Sequence, residues 1–223
     1  MSDFSGRTVV VTGASGALGA GLVSAFTDAG AEVVGVDRAA PDERAAIDGV
    51  RYEQADLTDD AHVAALLDGV ASPWAVVNTV GGFAPKSALS DLDPEELDHQ
   101  LHLNLMTAAV VTKHALRVMK PIGAGRIVLT SSKAATATSS NGFAYSVSKL
   151  AVLHLVRMAA EEVAGTGITV NGVVPSIIDT PANRASMPDA AHDRWPKIPD
   201  VARSYLFLAS PSSQLVNGAT LPV

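Results

Sequence analysis

A tyrosine and a lysine stand four residues apart in the segment Tyr145–Lys149. On a helix this spacing puts both side chains on one face, one turn apart. An ammonium beside a phenol favours the phenolate, so Lys149 is expected to lower the pKa of Tyr145 from about 10 towards the working range. Such a tyrosine can give a proton to a carbonyl oxygen while hydride reaches the carbon, and can take it back in the reverse reaction. The pair predicts acid–base chemistry on a carbonyl or an alcohol.

A serine completes this predicted reaction centre. Ser132 follows the predicted strand Arg126–Thr130, which comes before the helix of Tyr145. In a parallel sheet the end of a strand faces the start of the next helix. The Ser132 hydroxyl and the Tyr145 phenol could therefore meet on one substrate oxygen.

A glycine-rich loop, Thr12–Gly19, follows the predicted strand Thr8–Val11 and opens the predicted helix Ala17–Ala29. Glycines let a phosphate approach free backbone N–H groups, and the helix N-terminus adds its positive end. A purely structural glycine turn is the alternative. The strand before, the helix after and an acid ending the next strand favour dinucleotide binding.

That acid is Asp37, which follows the predicted strand Glu32–Val36. A carboxylate at this place accepts hydrogen bonds from an adenosine ribose and repels a 2′-phosphate, so NAD(H) is the preferred cofactor. Arg38 could neutralise a 2′-phosphate, which keeps NADP(H) possible, although a solvent-facing loop arginine is the favoured interpretation.

Polar residues also follow the third and fourth predicted strands. Asp56 could reach the adenine amino group, or Asp56 or Thr58 could instead cap the helix that begins near Asp59. Asn78 ends the fourth strand, and the glycines from Gly81 would let the backbone pass close to the cofactor or form a tight turn.

Taken together, these motifs resemble the short-chain dehydrogenase/reductase family over essentially the full chain. The resemblance implies that Tyr145 protonates the substrate, Lys149 also holds the nicotinamide ribose, and Ser132 orients the substrate. It further implies that Asn104, on the preceding long helix, supports a water relay; an ordinary polar helix residue is the alternative. The four implied catalytic residues are Asn104, Ser132, Tyr145 and Lys149.

The same resemblance implies cofactor contacts along the carboxyl end of the sheet. These are Gly13, Ser15, Gly16, Ala17, Leu18 and Gly19 in the glycine loop, Asp37, Arg38, Asp56, Leu57, Asn78 and Gly81 after the next strands, Tyr145 and Lys149 on the helix, and Pro175, Ile178 and Thr180 after the sixth strand.

Departures from the common family pattern indicate one branch. Ala17 replaces the middle glycine of the loop, Val80 stands in the motif after the fourth strand, and Ser176 follows Pro175. These departures and the string from Asp179 to Pro188 resemble the dihydropteridine reductase branch, which reduces quinonoid dihydropterins with NADH and works without the active-site serine. The presence of Ser132 is more similar to carbonyl-reducing relatives.

Composition excludes other classes of function. The chain has 223 residues, 48% of them hydrophobic, a formal net charge of −7, no cysteine and 4% aromatic residues. The acidic balance argues against a nucleic-acid binder, and the missing cysteine removes disulfides and thiolate chemistry. The six histidines show no metal-ligand spacing, so no metal site is expected. Without a signal peptide or a membrane span, we expect a cytoplasmic protein.

Strand-like and helix-like segments alternate from end to end, which predicts an α/β fold of Rossmann type. We expect one dinucleotide-binding domain over residues 1–223, with a doubly wound, seven-stranded, mostly parallel sheet and helices on both faces. The long helices from Asp93 to Met119 and from Ala144 to Val163 are apolar over more than one face. This excess favours a homodimer or homotetramer.

One stretch, residues 176–198, shows little periodicity and is expected to be a loop that covers the substrate. Within it, Trp195 could cover the nicotinamide or pin the loop to the body. The predicted activity is NAD(P)(H)-dependent hydride transfer to or from a small carbonyl, alcohol or quinonoid pterin-like substrate. The alternatives are a non-catalytic dinucleotide-sensing regulatory protein on the same fold and an epimerase or dehydratase with tightly held NAD.

Overall fold

Seven parallel strands form one sheet in the computed structural model, which describes residues 3–39, 46–83 and 87–223. The strand order is β3-β2-β1-β4-β5-β6-β7, and each neighbouring pair is parallel. The strands are β1 Thr8–Thr12, β2 Glu32–Asp37, β3 Arg51–Gln54, β4 Ala75–Asn78, β5 Gly125–Thr130, β6 Ile168–Val174 and β7 Thr220–Pro222. The predicted Rossmann-type fold is confirmed.

Seven helices connect these strands within the described residues. They are α1 Ala17–Asp28, α2 Asp60–Asp68, α3 Pro94–Gln100, α4 Thr107–Met119, α5 Phe143–Glu162, α6 Pro181–Ser186 and α7 Ile198–Ala209. None of the helices in these ranges is long and apolar enough to cross a membrane.

Both faces of the sheet are buried because alternate strand residues enter two different cores. Val10 and Ile127 join the core under α2, α4 and α5, whereas Val11 and Val128 join the core under α1 and α7. A parallel sheet covered on both faces requires continuous apolar strands rather than alternating ones. This explains the unbroken runs of valine that the sequence shows.

The long helix predicted from Asp93 to Met119 is present but changes its winding. Asp93 caps its N-terminus by accepting a hydrogen bond from the Glu95 N–H, and Pro94 opens the first turn. Between α3 and α4 the chain forms a π-helical stretch, Leu101–Met106. Such stretches are rare and occur frequently at functional sites.

Residues 176–198 contain more regular structure than the sequence indicates. They include α6 and a 3₁₀ turn, His192–Arg194. The prediction of an irregular loop is wrong here because Pro181 opens a helix instead of breaking one, and Thr180 caps that helix.

The carboxyl ends of the strands gather the predicted site residues at one edge. The strand order reverses at the neighbouring β1 and β4, the place where open α/β sheets bind ligands. The glycine loop follows β1 and Asn78 ends β4, while Ser132 and Pro175 come just after β5 and β6.

Candidate active site

The glycine loop leaves the first turn of α1 open to an anion. Gly16 is the N-cap residue of α1 and contributes no side-chain hydrogen bond, and no acidic residue lies in the first turn. Gly19 packs so tightly that a Cβ there would lie 1.9 Å from the carbonyl oxygen of Gly13. Uncapped N–H groups at the positive end of a helix suit a phosphate, so the loop fits the dinucleotide that the sequence predicts.

Asp37 ties the end of β2 to this loop. Its carboxylate accepts hydrogen bonds from the backbone N–H of Ser15 at 2.9 Å and of Arg38 at 2.7 Å. Each carboxylate oxygen can accept more than one hydrogen bond, so this position can still receive ribose hydroxyls. The Arg38 side chain is on the surface.

Asp56 does not cap the following helix. It accepts hydrogen bonds from the N–H and the hydroxyl of Thr58, and these bonds hold its pKa below the ordinary value. The cap of α2 is Asp59, which accepts from the N–H groups of Ala61 and His62. The alternative interpretation, in which Asp56 or Thr58 caps this helix, is therefore wrong, because Asp59 lies at the residue where the helical backbone begins.

A cavity of about 510 Å³ lies beside Asp56 and is also lined by Arg38, Arg51 and His62. Glu53 also lines the cavity and forms an ion pair with Arg51 at 2.7 Å, so two carboxylates and three basic side chains surround this space. Leu57 is buried in the core, so any ligand contact from it must come from its main chain.

Asn78 connects three strands at the centre of the edge. Its Oδ1 accepts a hydrogen bond from the Thr12 hydroxyl, and its carbonyl oxygen accepts one from the Thr130 hydroxyl at 2.7 Å. The residue is fully buried. These bonds fix the spacing of β1, β4 and β5 where a ligand would lie.

Gly81 lies against the two groups that the sequence places at the reaction centre. A Cβ on Gly81 would lie 2.6 Å from Asn104 Oδ1 and 2.7 Å from Lys149 Nζ. Asn104 also fixes the next residue, because its Oδ1 accepts from the Gly82 N–H and its Nδ2 donates to the Gly82 carbonyl oxygen. The structure therefore brings Gly81, Asn104 and Lys149 together.

The Ser132 side chain is a neighbour of the Tyr145 phenol. The pKa of Tyr145 is nevertheless raised, because burial favours the neutral phenol, and the interaction with Ser132 opposes this only in part. The Phe83 ring also shields Tyr145 from solvent. It packs edge-to-face against the Tyr145 ring, with 4.9 Å between the ring centroids.

The expectation that Lys149 lowers the pKa of Tyr145 is wrong for this structure. Lys149 is 4% exposed and donates a hydrogen bond to the Thr130 carbonyl oxygen at 3.1 Å. Burial lowers its own pKa to about 8. Both residues share a helix face, but loss of solvent governs each titration more than their mutual attraction does.

The residues after β6 are held in place by hydrogen bonds to other parts of the protein. The Pro175 carbonyl oxygen accepts from the Lys133 N–H at 2.8 Å, and the Ile178 carbonyl oxygen accepts from Asn183 Nδ2 at 2.8 Å. The Thr180 hydroxyl accepts from the Asn183 N–H as the cap of α6. Their backbones lie at the carboxyl edge of the sheet, where a ligand would bind, but these hydrogen bonds are all made to other groups of the protein.

Sequence reasoning missed several groups that hold the reaction centre. Thr130 contributes a carbonyl oxygen to Lys149, and Ser148 accepts a hydrogen bond from Asn104 while donating to the Tyr145 carbonyl oxygen. Gln100 also accepts from Asn104. In the sequence, the only indication of their role is that they lie near residues of the predicted motifs. Among the described residues, no group of three or more His, Asp or Glu side chains could hold a metal ion.

Comparisons with known proteins identify similar oxidoreductases. A family model described as enoyl-(acyl carrier protein) reductase matches residues 13–223. A cis-4-hydroxycyclohexanecarboxylate dehydrogenase from Sinomonas cyclohexanicum is 35% identical, over 99% of this chain and 96% of its own.

Two solved structures are also similar. A short-chain type dehydrogenase/reductase from Mycobacterium ulcerans is 29% identical, with a TM-score of 0.91 over 99% of this chain and 89% of its own. A gluconate 5-dehydrogenase from Burkholderia cenocepacia J2315, solved with NADP and tartrate, is 26% identical, with a TM-score of 0.89 over 99% of this chain and 94% of its own.

Proposed function

Since the chain belongs to the short-chain dehydrogenase/reductase family of oxidoreductases, we propose that it transfers hydride between NAD(P)(H) and a small carbonyl or alcohol. The observation that carries this proposal is the position of the Ser132 side chain next to the Tyr145 phenol, with the buried Lys149 one helical turn away. It sets a proton donor at the carboxyl edge of the sheet, next to an anion-accepting loop.

Tyr145 is the acid and base of the proposed reaction. Its raised pKa keeps the phenol protonated at neutral pH, which suits proton donation to a carbonyl oxygen. The nicotinamide, when bound, supplies or accepts the hydride. Ser132 orients the substrate oxygen, Lys149 holds the nicotinamide ribose, and Asn104 keeps the Gly81–Gly82 backbone close to both.

Along the rest of the edge we assign cofactor contacts to the residues that the sequence predicts. The glycine loop holds the pyrophosphate, Asp37 the adenosine ribose and Asp56 the adenine end. Asp37 favours NAD(H), whereas the NADP in the gluconate 5-dehydrogenase structure supports NADP(H) as a second possibility. Titration with both reduced cofactors decides between them.

The substrate class rests on the relatives and on the shape of the site. The name of the Sinomonas relative indicates a cyclic alcohol, and Phe83 offers a half-exposed ring beside Tyr145. We therefore propose a small cyclic ketone or alcohol. The quinonoid dihydropterin that the branch resemblance implies stays a prediction. Asn183 and Arg184 of the resembling string contact Ile178 and Asp179 inside their own segment, so the string is accounted for by local architecture.

The test is NADH and NADPH oxidation by the purified protein with cyclic ketones, aldehydes, diketones and a quinonoid dihydropterin. Reduction of a cyclic ketone is expected, as is oxidation of cis-4-hydroxycyclohexanecarboxylate with NAD⁺. Turnover of the pterin alone would move the protein to the dihydropteridine reductase branch. Cofactor binding with no turnover of any substrate would contradict the proposal and favour the sensing alternative, which no relative named here supports.

The lowered pKa of Lys149 predicts the pH dependence of reduction. The ammonium population falls as pH rises through about 8 rather than through the ordinary value of 10.5. We expect kcat/KM for carbonyl reduction to be steady below pH 8 and to fall above it. Initial rates at saturating NADH measure this. Lys113→Gln, at an exposed lysine on α4, should show the same fall in kcat/KM above pH 8. A profile that stays flat up to about pH 10 would exclude this role of Lys149.

We also propose that α4 and α5 form a subunit interface. Leu150 and Met158 on α5 are 50% and 58% exposed, and a groove of about 430 Å³ between the two helices is lined by Leu116 and Leu155. Leu150→Glu with Met158→Glu is expected to convert an oligomer to monomer, measured by light scattering on a sizing column. Leu215→Glu, at a 92% exposed position, is the control; an unchanged mass of the double variant would reject this interface. A cytoplasmic location stays a prediction.

A further inference from the structure

One carboxylate joins the start, middle and end of the segment 176–198. Asp179, just after β6, accepts two hydrogen bonds from the Arg184 guanidinium, at 2.5 and 2.9 Å, and one from Lys197 Nζ. Arg184 lies on α6, and Lys197 is the N-cap residue of α7. The Asp179 side chain is 8% exposed, whereas both cations are about half exposed.

Main-chain contacts close the same segment independently of these charges. The Asp179 N–H donates to the Pro196 carbonyl oxygen at 3.0 Å, so the two ends of the segment meet. His192 Nε2 bonds the Met187 carbonyl oxygen at 2.7 Å, and the His192 and Trp195 rings pack at 4.5 Å. Trp195 therefore packs within the segment.

The Asp179 cluster is stronger than an ordinary surface ion pair. Exposed pairs contribute little because water screens them, but a bidentate guanidinium with a second cation on one shielded carboxylate forms a charge-assisted network. The two cations hold the pKa of Asp179 well below its usual range. The carboxylate is therefore ionised throughout the neutral range.

Both ends of the segment lead to the proposed site. At its start, the Pro175 carbonyl oxygen accepts from the backbone N–H of Lys133, which is next to Ser132. At its end, Ile198 packs on α1, where a Cβ on Gly21 would lie 2.2 Å from Ile198 Cγ2. The Asp179 cluster thus connects the reaction centre with the helix that carries the glycine loop.

We propose that Asp179 is a positioning residue whose bonds to Arg184 and Lys197 hold the segment 176–198 over bound substrate. This inference rests on the proposed function for the identity of what is covered. Asp179 itself touches neither Ser132 nor Tyr145 in the described contacts, so its effect passes through the backbone of the segment. Substrate affinity should depend on it more than the chemical step does.

Asp179→Asn keeps the size of the side chain and removes its charge. We expect kcat/KM to fall about 10- to 100-fold, because small displacements of positioning groups have effects of this size. The loss should lie mainly in KM. Trypsin should cut the folded variant faster after Arg194, within the segment. Asp189→Asn removes the same charge from an exposed position of the same segment, away from the cleavage site, and should match the wild type in both measurements.

A double-variant cycle separates this role from a general loss of stability. Arg184→Gln should weaken substrate binding in the wild type but add little to Asp179→Asn, because both changes break one network. If Asp179→Asn does not fold, Lys197→Gln, which leaves the bidentate pair intact, should give a smaller shift in KM and in cleavage rate.

Unchanged KM and unchanged cleavage in Asp179→Asn would overturn the inference, and so would full additivity with Arg184→Gln. Failure of the proposed function is distinguishable, because it would show as an inactive wild type. The cleavage rate after Arg194 needs no turnover and would still report whether Asp179 holds the segment.

Discussion

Tyr145→Phe is expected to lower kcat for carbonyl reduction by about 10²- to 10⁴-fold, the range that a positioned acid or base contributes. The substitution removes only the phenol oxygen. The ring keeps its edge-to-face contact with Phe83, so the packing of the site should survive. Affinity for NADH should fall much less than kcat, because the glycine loop and Asp37 are proposed to hold most of the cofactor.

Stopped-flow and steady-state NADH oxidation measure this loss, with NADH fluorescence titration as the binding readout. Tyr52→Phe is the matched control, since the Tyr52 hydroxyl accepts a hydrogen bond from the Ile47 N–H, away from the reaction centre. The control should retain wild-type kcat. Retention of more than about a tenth of the activity by Tyr145→Phe would assign proton transfer to another group, since a positioned acid contributes at least 10²-fold.

Gly19→Ala is expected to disrupt cofactor binding through the backbone. The new methyl would lie 1.9 Å from the Gly13 carbonyl oxygen and 2.6 Å from its carbon, both of them main-chain atoms that no rotamer change can move. Overpacking of this kind costs about 1–3 kcal/mol. If the loop shifts to relieve it, NADH affinity should fall about 5- to 150-fold.

Isothermal titration with NADH and with NADPH tests this second expectation, alongside thermal unfolding without cofactor. Gly69→Ala is the control, because Gly69 ends α2 with ordinary backbone angles and a Cβ there would lie 3.4 Å from its nearest neighbours. It should bind as the wild type does. Wild-type affinity in Gly19→Ala would show that the tight approach of Gly19 to Gly13 is not needed for the cofactor.

The two variants test the two functions of the site, cofactor binding and the chemical step, separately. Gly19→Ala should act on binding, through the loop after β1, whereas Tyr145→Phe should act on the chemical step, at the start of α5. A substrate-saturated kcat that falls in both would indicate that the glycine loop also positions the reaction centre. The hydrogen bonds from Asn78 to Thr12 and Thr130 provide a physical connection for such an effect.

The sequence by itself determined the fold class and the set of motifs. Runs such as Thr8–Thr12 and Ile168–Val174 are apolar enough to be buried on both faces, and glycines or prolines end them. Local patterns of this kind act over a few residues, so strand positions could be predicted to within a residue or two. The meeting of Ser132 with Tyr145 followed from the rule that strand ends and helix starts share one edge.

Tertiary structure decided what those groups experience. Lys149 and Tyr145 are neighbours on a helix, yet burial controls both pKa values, and burial depends on Phe83 and Thr130 from distant parts of the chain. Asn104, on the π-helical stretch, likewise depends on Gly82 and Ser148, which are 22 and 44 residues away along the chain. Desolvation and long-range hydrogen bonds have no local periodicity, and for that reason only the folded molecule shows them.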